Sequence, residues 1–377
     1  MIQILLFILF IRLGSPTDNE HLPLETVEAA ISSRCKLREL YDKFRYDHGL
    51  IRCRKEHPHR HTIFKKSLEK IRKLKRSDDI TWTAGLTPLS DLTEAEIESN
   101  YMGYNVTLRE RNMNLQARPN GPPSLKIKKL PLEWDWRQAY NQGTYSESFN
   151  FVTPIQNQDE PSCWARAAVV PLEARMKKQF MYNGPPQALS VFELYDCTYD
   201  GDNGYDDRGG GGSSIDAYKW LHISGRLSSR EAIPDRPGAK PTHYMKFAYA
   251  DTPNIFKGFK LTSIKRVENE NTMIAAISEQ SPVVVVLSMK GLDLPHYKGG
   301  SYFSVTCKDG LYHSMAVVGY TQRALIIKNS WGVGWGDKGY LTWERHHFGW
   351  NCGMYEDAVY PTLTYSAARG KGKKVIK

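Results

Sequence analysis

The chain has 377 residues, of which 41% are hydrophobic and 11% aromatic, so it is long enough to bury a core and to form two or three compact units. It contains no low-complexity tract and no repeat with a period of roughly 20 to 50 residues, which argues against solenoids and propellers. The net charge of +10 is concentrated at 34–76 and 369–377. Since no aromatic-interleaved motif accompanies these stretches, solvated faces account for them better than a nucleic-acid surface.

The amino-terminal segment 1–11 is almost wholly apolar. Its length suits the apolar region of a secretory signal peptide and is too short to span a bilayer. A buried strand or helix is the alternative, because no Lys or Arg precedes the run. We predict a signal peptide at 1–15 and a secretory route, lysosomal or extracellular, with no membrane span. On that route Asn105, in Asn105-Val106-Thr107, would be a glycosylation acceptor.

Apolar side chains recur close to a helical period between residues 21 and 76, and the positions around them are mostly charged. These apolar residues are Leu37, Leu40, Tyr41, Phe44, Ile63, Phe64, Leu68, Ile71 and Leu74. The pattern predicts amphipathic helices that each bury one face. Three alternating histidines, His57, His59 and His61, occur at a charged helix start, where they are more often solvated than metal-bound. We therefore predict neither a metal nor another cofactor.

The segment 113–129 is rich in Pro, Gly and Lys, and this composition predicts an exposed connector that is open to proteolysis. The character of the chain changes after Leu130. A helix is expected from about Cys163 towards Phe180, and a glycine-rich loop follows at 201–212. Strand-like segments then occur at 283–287, 314–320 and 324–328. A helical half followed by a β-rich half predicts an α+β protein with two packed subdomains.

Cys163 is the strongest candidate nucleophile. It follows Ser162, a good N-cap, and therefore lies near a helix N-terminus, where the helix dipole and free N–H groups favour a thiolate. Taken alone this is weak, because most such cysteines are simply buried. The six cysteines form no CxxC pair and no zinc-like spacing.

Three sequence segments in a fixed order give Cys163 its context. The first runs from Gln158 to Trp164 as Gln-Asp-Glu-Pro-Ser-Cys-Trp. The second is Tyr312-His313-Ser314-Met315-Ala316, and the third is Asn329-Ser330-Trp331-Gly332-Val333-Gly334-Trp335-Gly336. A dinucleotide loop is excluded for the third, since its glycine spacing and the following helix are missing. Together the segments resemble the Cys, His and Asn signatures of the papain family of cysteine proteases, and the chain from about residue 35 to 362 resembles a cathepsin L-like zymogen.

The resemblance implies a role for each motif residue. Cys163 would attack the scissile carbonyl as part of a thiolate–imidazolium pair with His313. Asn329 would orient the imidazole, Trp331 would shield that bond from water, and Gln158 would donate to the oxyanion. The expected fold is the two-lobed papain fold, with a helical lobe and a β-barrel-like lobe, preceded by a helical propeptide domain.

Further resemblances define the flanks and the cleft. The implied domains are a propeptide at 16–112, a connector at 113–129, a catalytic domain at 130–364 and a basic tail at 365–377. The implied substrate-binding residues are Gly211, Gly212, Ser214, Leu311 and Asp357, with Asp357 at the floor of the S2 pocket, where a carboxylate would favour a basic P2 residue. The implied disulfide joins Cys307 to Cys352. The pairing of Cys35, Cys53 and Cys197 stays open.

The propeptide implies self-inhibition of a monomeric enzyme that acts on proteins or peptides. Its helices would dock on the enzyme and thread the connector through the cleft, in reverse orientation to substrate. Protonation of carboxylates at low pH would then weaken the docking.

The chain departs from the family around its nucleophile. Four residues, not five, separate Gln158 from Cys163, which removes a structural cysteine and leaves Pro161 in a shortened loop. Arg166 replaces a customary aromatic residue, and Pro171 lies inside the predicted helix. These changes put catalytic efficiency in doubt. The sequence favours a cysteine endopeptidase; a non-catalytic binding or matrix protein of the same fold is the rival, and a nucleic-acid-binding module is a distant third.

Overall fold

The computed structural model describes residues 22–50, 56–104, 130–138, 150–180, 185–198, 211–241, 249–304, 307–308, 310–345 and 351–366. The predicted signal peptide, Asn105, Cys53, the connector 113–129 and nearly all of the basic tail lie outside these residues. Among the residues described, no helix is long and apolar enough to cross a membrane.

The first part of the chain folds as a helical unit with its own core. Its helices are α1 (Leu24–Ser32), α2 (Arg34–Asp47), α3 (His57–Lys75) and α4 (Glu94–Tyr101). The core of this unit consists of Val27, Ala30, Leu37, Tyr41, Phe44, Phe64, Leu68 and Ile71. The helical periodicity of the sequence therefore identified the buried face correctly.

A second unit is built on helix α5 (Cys163–Phe180), which packs with α6 (Val191–Cys197) and α7 (Ser214–Ser224). The bounds of α5 agree with the helix predicted from Cys163. Pro171 removes one backbone donor, yet α5 continues through it. Nearly every residue from Cys163 to Lys177 is buried, so tertiary packing offsets the intrinsic cost of the proline.

The third unit is a mostly antiparallel sheet that packs against helix α8 (Glu270–Glu279). Its strands are β1 (Trp82–Ala84), β2 (Trp134–Asp135), β3 (Phe259–Arg266), β4 (Val283–Ser288), β5 (Tyr297–Tyr302), β6 (Tyr312–Tyr320), β7 (Ala324–Lys328), β8 (Tyr340–Glu344) and β9 (Val359–Tyr365). In the described residues the strand order is β1-β5-β8-β7-β6-β4-β9-β3, with β2 paired to β6. The second unit, built on α5, is the helical lobe predicted from the sequence, and this sheet is the second lobe. The predicted disulfide Cys307–Cys352 is present in the sheet lobe.

A buried polar bridge ties the two lobes together beneath the cleft. Lys328 on β7 donates to the backbone oxygen of Thr153 at 2.8 Å and to its hydroxyl at 2.9 Å. That hydroxyl donates in turn to Glu173 on α5 at 2.6 Å. Burial lowers the pKa of Lys328 to about 8, against the opposing charge of Glu173. Because Lys328 precedes Asn329, the bridge fixes one predicted site residue relative to the helical lobe.

The amino-terminal unit docks on the sheet lobe by adding a strand to it. Strand β1 pairs antiparallel with β5, Trp82 opposite Gly300 and Ala84 opposite Tyr297. Gly85 N–H donates to the backbone oxygen of His296 at 2.9 Å. An ion pair between Lys70 and Asp293, at 2.7 Å, lies beside the added strand. Backbone hydrogen bonds therefore hold the predicted propeptide against the enzyme.

Two histidines beside this interface have lowered pKa values. His48 lies against Gly334, where an added Cβ would be 2.8 Å from Nδ1. Burial first, and then the charge of Lys298, lower the pKa of His48 from 6.5 to about 4. Asp47 and Asp91 oppose this shift, and Lys43 adds to it.

The second histidine, His296, accepts the Gly85 bond through its backbone. Burial lowers its pKa to about 4 as well, with Asp293 opposing and Lys70 assisting. A histidine that regained its ordinary pKa of 6.5 on release would take up a proton there, whereas in this structure it does so only near pH 4. We therefore expect docking to be strongest above pH 6.5 and to weaken as the pH falls towards 4.

Glu96 is a carboxylate of the amino-terminal unit that takes up its proton at a lower pH than the two histidines. Burial alone would raise the pKa of Glu96, but hydrogen bonds from Arg60 and Thr93 outweigh it and lower the pKa to about 2. This carboxylate stabilises the helical unit above pH 4.5, and its contribution is lost as the pH falls towards 2. The histidines respond first as the solution is acidified.

We expect His48→Gln to reduce this pH dependence, because a neutral amide has no proton to take up on release. In a full-length Cys163→Ala protein, which cannot cleave itself, amide protection factors of Trp82–Ala84 should fall by roughly tenfold or more between pH 7 and 4.5. The fall should be smaller in the His48→Gln variant. His59→Gln, at an exposed position on α3, is the matched control and should behave like the parent. Identical pH profiles for all three proteins would contradict the assignment.

Candidate active site

Cys163 begins helix α5 and is completely buried. The backbone N–H of Gly103 donates to its sulfur at 3.2 Å. Burial raises the pKa of the thiol, and this outweighs hydrogen bonds from Ser314, Gly103 and Trp164 that favour the thiolate. The thiol is therefore held in its unreactive, protonated form in this structure.

His313 lies on β6, next to Ser314, whose backbone contacts the Cys163 sulfur. Its Nε2 is 2.8 Å from Oδ1 of Asn329, and its Nδ1 is 2.8 Å from the backbone oxygen of Tyr101. Burial lowers the pKa of His313 to about 4 although both contacts favour the charged ring. At neutral pH the ring is uncharged and can donate to only one of the two oxygens.

An aromatic ring covers this imidazole, and a second ring packs on the first. Trp331 lies 4.7 Å from His313 between ring centroids and is 1% exposed. Tyr101 meets Trp331 edge-on at 6.2 Å. The His313–Asn329 contact therefore lies beneath the buried Trp331 ring.

Gln158 is fully buried beside the nucleophile. Its backbone N–H donates to the backbone oxygen of Ser330, and its side-chain oxygen accepts from the Ser330 hydroxyl, each at 2.8 Å. The side-chain NH₂ consequently points at the backbone oxygen of Asn100, 3.2 Å away. Gln158 thus presents a fixed donor that is already holding a carbonyl oxygen.

Cys163, His313 and Gln158 each contact the segment 100–104, which comprises the last two residues of α4 and the three that follow. Tyr104 forms a parallel bridge with Gly212, whose N–H donates to Gly103 at 2.8 Å, and Tyr104 N–H donates to Tyr312 at 3.4 Å. Sequence reasoning expected the connector 113–129 in the cleft. The structure places an earlier part of the predicted propeptide beside Cys163.

Gly103 is the sequence signal that could have identified this segment. A Cβ at this position would lie 2.0 Å from the backbone oxygen of Pro161, so only glycine fits. The contact is backbone to backbone and cannot be relieved by a side-chain rotation. The backbone segments at Gly103 and Pro161 can therefore approach this closely only because residue 103 is glycine.

The predicted substrate-binding residues divide into two groups. Gly212 and Asp357 face the segment in the cleft, and the Tyr104 hydroxyl donates to Asp357 at 2.7 Å. Asp357 is 4% exposed, and Arg266 lies 3.8 Å from its other oxygen. Ser214, in contrast, uses its hydroxyl within the lobe, donating to the backbone oxygen of Trp164 at 2.7 Å.

Gly211 and Leu311 are the two remaining predicted substrate-binding residues. Gly211 directly precedes Gly212, and Leu311 has a positive φ of 56° and packs against the sheet-lobe core. Leu311 accepts a backbone bond from Met289 at 2.8 Å. For these two residues the structure records no contact that assigns a role in substrate binding.

Comparison with known proteins agrees with this architecture. The family described as "Papain family cysteine protease" matches residues 130–362. Papain from Carica papaya is 28% identical over 341 residues, which is 88% of each chain.

Two solved precursor structures share the fold. The ragweed pollen cysteine protease Amb a 11 in its proform has a TM-score of 0.68 and 23% identity, covering 89% of this chain and 97% of that one. Digestive procathepsin L 3 of Tenebrio molitor has a TM-score of 0.65 and 24% identity, covering 86% and 98%. Because these matches cover 89% and 86% of this chain, they extend beyond the family region 130–362. The chain belongs to the papain family of cysteine proteases and has the form of a zymogen, with its own propeptide as the inhibitor.

Proposed function

We propose that this zymogen yields an endopeptidase in which Cys163 is the nucleophile, His313 its base and Gln158 the oxyanion donor. The observation that supports this most strongly is the arrangement of 100–104. Successive backbone groups of this segment engage Gln158, His313 and Cys163 in turn. A segment that occupies all three groups blocks the chemistry without being cut, because its parallel pairing with Gly212 is the reverse of substrate.

Removal of the segment changes the electrostatics of the two reacting groups. Water reaches Cys163, so the burial that raises its pKa is relieved, and His313 loses the carbonyl at Nδ1. The thiol proton can then pass to Nδ1, giving a thiolate–imidazolium pair oriented by Asn329. The lower pKa of the Cys163 thiol and the release of the His313 imidazole therefore both result from removal of the segment.

The catalytic cycle follows from these positions. The Cys163 sulfur adds to the scissile carbonyl, and the oxyanion accepts from the Gln158 NH₂ and the Cys163 N–H. The imidazolium of His313 protonates the leaving amine as the C–N bond breaks, leaving a thioester. Water, deprotonated by His313, adds to the thioester, and the thiol is restored when the acid leaves.

The rival function, a non-catalytic binding protein, rested on Pro161 and Pro171. Helix α5 is continuous through Pro171, and Pro161 forms part of the ordered contact with Gly103. Neither proline disturbs the contacts of Cys163, His313 or Asn329. The geometry and the family relationship both favour the enzyme.

For cellular context we propose a secreted or lysosomal enzyme. The apolar segment 1–11, the Asn105 sequon and docking that weakens on acidification all fit an enzyme released in an acidic compartment. Retention of Asn105 glycosylation after expression in a secreting cell would support the route. Full-length protein that keeps residues 1–15 after such expression would contradict it.

The S2 pocket is proposed to select P2 side chains that end in a hydrogen-bond donor. The Tyr104 hydroxyl already makes this bond to Asp357 in the zymogen. A basic P2 residue, predicted from the sequence, would supply a donor of the same kind, although Arg266 offsets part of the carboxylate charge. Tyr and Arg at P2 are therefore both expected to exceed Phe and Leu.

The expected preference is measurable with matched peptides. A hydrogen bond to a charged group contributes about 1.5–3 kcal/mol, so Tyr over Phe at P2 should gain roughly tenfold or more in kcat/KM. Asp357→Leu should abolish this gain, whereas Asp357→Asn should keep part of the Tyr preference and lose the Arg preference. Equal turnover of Arg and Leu peptides, together with equal turnover of Tyr and Phe peptides, by the unmodified enzyme would refute the pocket assignment.

A further inference from the structure

The loop between Gln158 and Cys163 folds around a buried guanidinium. Arg166, one turn into α5, donates through Nε to the Ser162 hydroxyl at 2.8 Å. Its Nη2 donates to Glu160 at 2.5 Å, and its Nη1 donates to the Gln156 side-chain oxygen at 2.8 Å. Three residues of the stretch leading into the nucleophile thus share one cation.

The cluster is closed by a residue far away in sequence. Asp235 accepts from Nη1 of Arg166 at 3.0 Å and from Arg230 at 2.8 Å. The side chains of Arg166 and Glu160 are 2% and 1% exposed, and that of Asp235 is 9% exposed. Two guanidinium groups face two carboxylates, so the buried charges are balanced.

We propose that Arg166 is a positioning residue that holds the 156–162 loop, and with it the Gln158 donor and the Cys163 N–H, in register for the oxyanion. The shortened loop has no cysteine to tie it down, and Glu160, Pro161 and Ser162 occupy its place. A planar guanidinium with several fixed donors constrains a loop in more than one direction. This inference rests on the proposed roles of Cys163 and Gln158.

The oxyanion is the part of the reaction that this positioning controls. A shift of about 1 Å in a transition-state donor costs roughly a hundredfold in rate, while ground-state binding changes little. The hydrogen bonds of Arg166 described above go to Gln156, Glu160, Ser162 and Asp235, so we expect its removal to leave the S2 contacts in place. The effect should appear in kcat and not in KM.

The rates of peptide hydrolysis and of Cys163 alkylation, measured on the same variant, distinguish a positioning role of Arg166 from a general loss of structure. For processed Arg166→Met, normalised by active-site titration, we expect kcat to fall about a hundredfold with KM within about threefold. Alkylation of Cys163 by iodoacetamide needs a thiolate but no oxyanion donor, and its rate should stay within about twofold. Arg166→Lys should restore part of the kcat, since it keeps the charge but not the fork. Unchanged kcat, or hydrolysis and alkylation falling together, would overturn the proposal.

Two further variants keep the test decisive if Arg166→Met does not fold. Glu160→Gln and Asp235→Asn keep the size of their side chains and remove one charge each, and should lower kcat about tenfold with alkylation unchanged. Gln158→Ala alone tests the proposed oxyanion role. If Arg166 acts through Gln158, Arg166→Met should cost much less in the Gln158→Ala background than in the parent. Fully additive losses would contradict positioning while leaving the Gln158 role intact.

Discussion

Replacing Cys163 by alanine in the processed enzyme is expected to lower kcat by roughly 10⁴-fold or more, because a nucleophile and its base act as one unit. His313→Ala should cost about as much, and the double variant little more than either alone. The measurement is steady-state hydrolysis of a Tyr-containing P2 peptide, with circular dichroism to confirm folding.

Cys197→Ala supplies the matched control within the same domain. Burial first, and then the charges of Glu193 and Asp196, raise the pKa of the Cys197 thiol to about 12, so it is a poor nucleophile. Its alanine variant should keep kcat within about twofold once the fraction of active enzyme has been titrated. Substantial hydrolysis by Cys163→Ala, or its loss in a folded Cys197→Ala protein, would show that the nucleophile has been misassigned.

Replacing Gly103 by alanine is expected to abolish latency of the full-length zymogen. The added Cβ would overlap the Pro161 backbone, so the segment must leave the cleft. Three backbone hydrogen bonds of the segment, Gly103 to Cys163, Gly212 to Gly103 and Tyr104 to Tyr312, would be lost. At about 1 kcal/mol each, they correspond to roughly a hundredfold greater exposure of Cys163.

Labelling of the intact chain at pH 7.5 by a peptidyl epoxide measures this exposure directly. Gly103→Ala should be labelled about a hundredfold faster than the parent, whereas Ser99→Ala, at an exposed position near the end of α4, should not differ from it. If the Gly103→Ala zymogen is labelled no faster than the parent, the segment 100–104 is not what blocks the nucleophile.

Most of the candidate site residues were proposed from short stretches of local sequence. Cys163, His313 and Asn329 were identified because each lies in a short motif whose residues are adjacent in the chain. The helix Cys163–Phe180 was predicted from local sequence and the disulfide Cys307–Cys352 from the resemblance to the family, and both are present.

Contacts between distant segments could not be predicted in this way. The pairing of β1 with β5, and the choice of 100–104 for the cleft, depend on how one folded unit docks on another. The Arg166 cluster depends on Asp235, 69 residues away. From the sequence, Arg166 was therefore only a departure from the family that puts catalytic efficiency in doubt. Its buried partners are the basis for the proposed role in positioning the 156–162 loop.

Histidine chemistry at the interface was missed for a related reason. His48 and His296 show no motif, and their low pKa values arise mainly from burial in the folded chain. The expectation that carboxylates weaken the docking came from the resemblance of the propeptide to that of the family. The structure adds a switch at a higher pH.

The central claim is that one cysteine becomes a nucleophile when its own propeptide leaves. Mass spectrometry after treatment with the peptidyl epoxide tests it in both forms of the protein. The account predicts one adduct per processed molecule, located on Cys163, and none on the intact zymogen at neutral pH. No adduct at any pH on the processed protein, or an adduct on Cys197 instead, would contradict it.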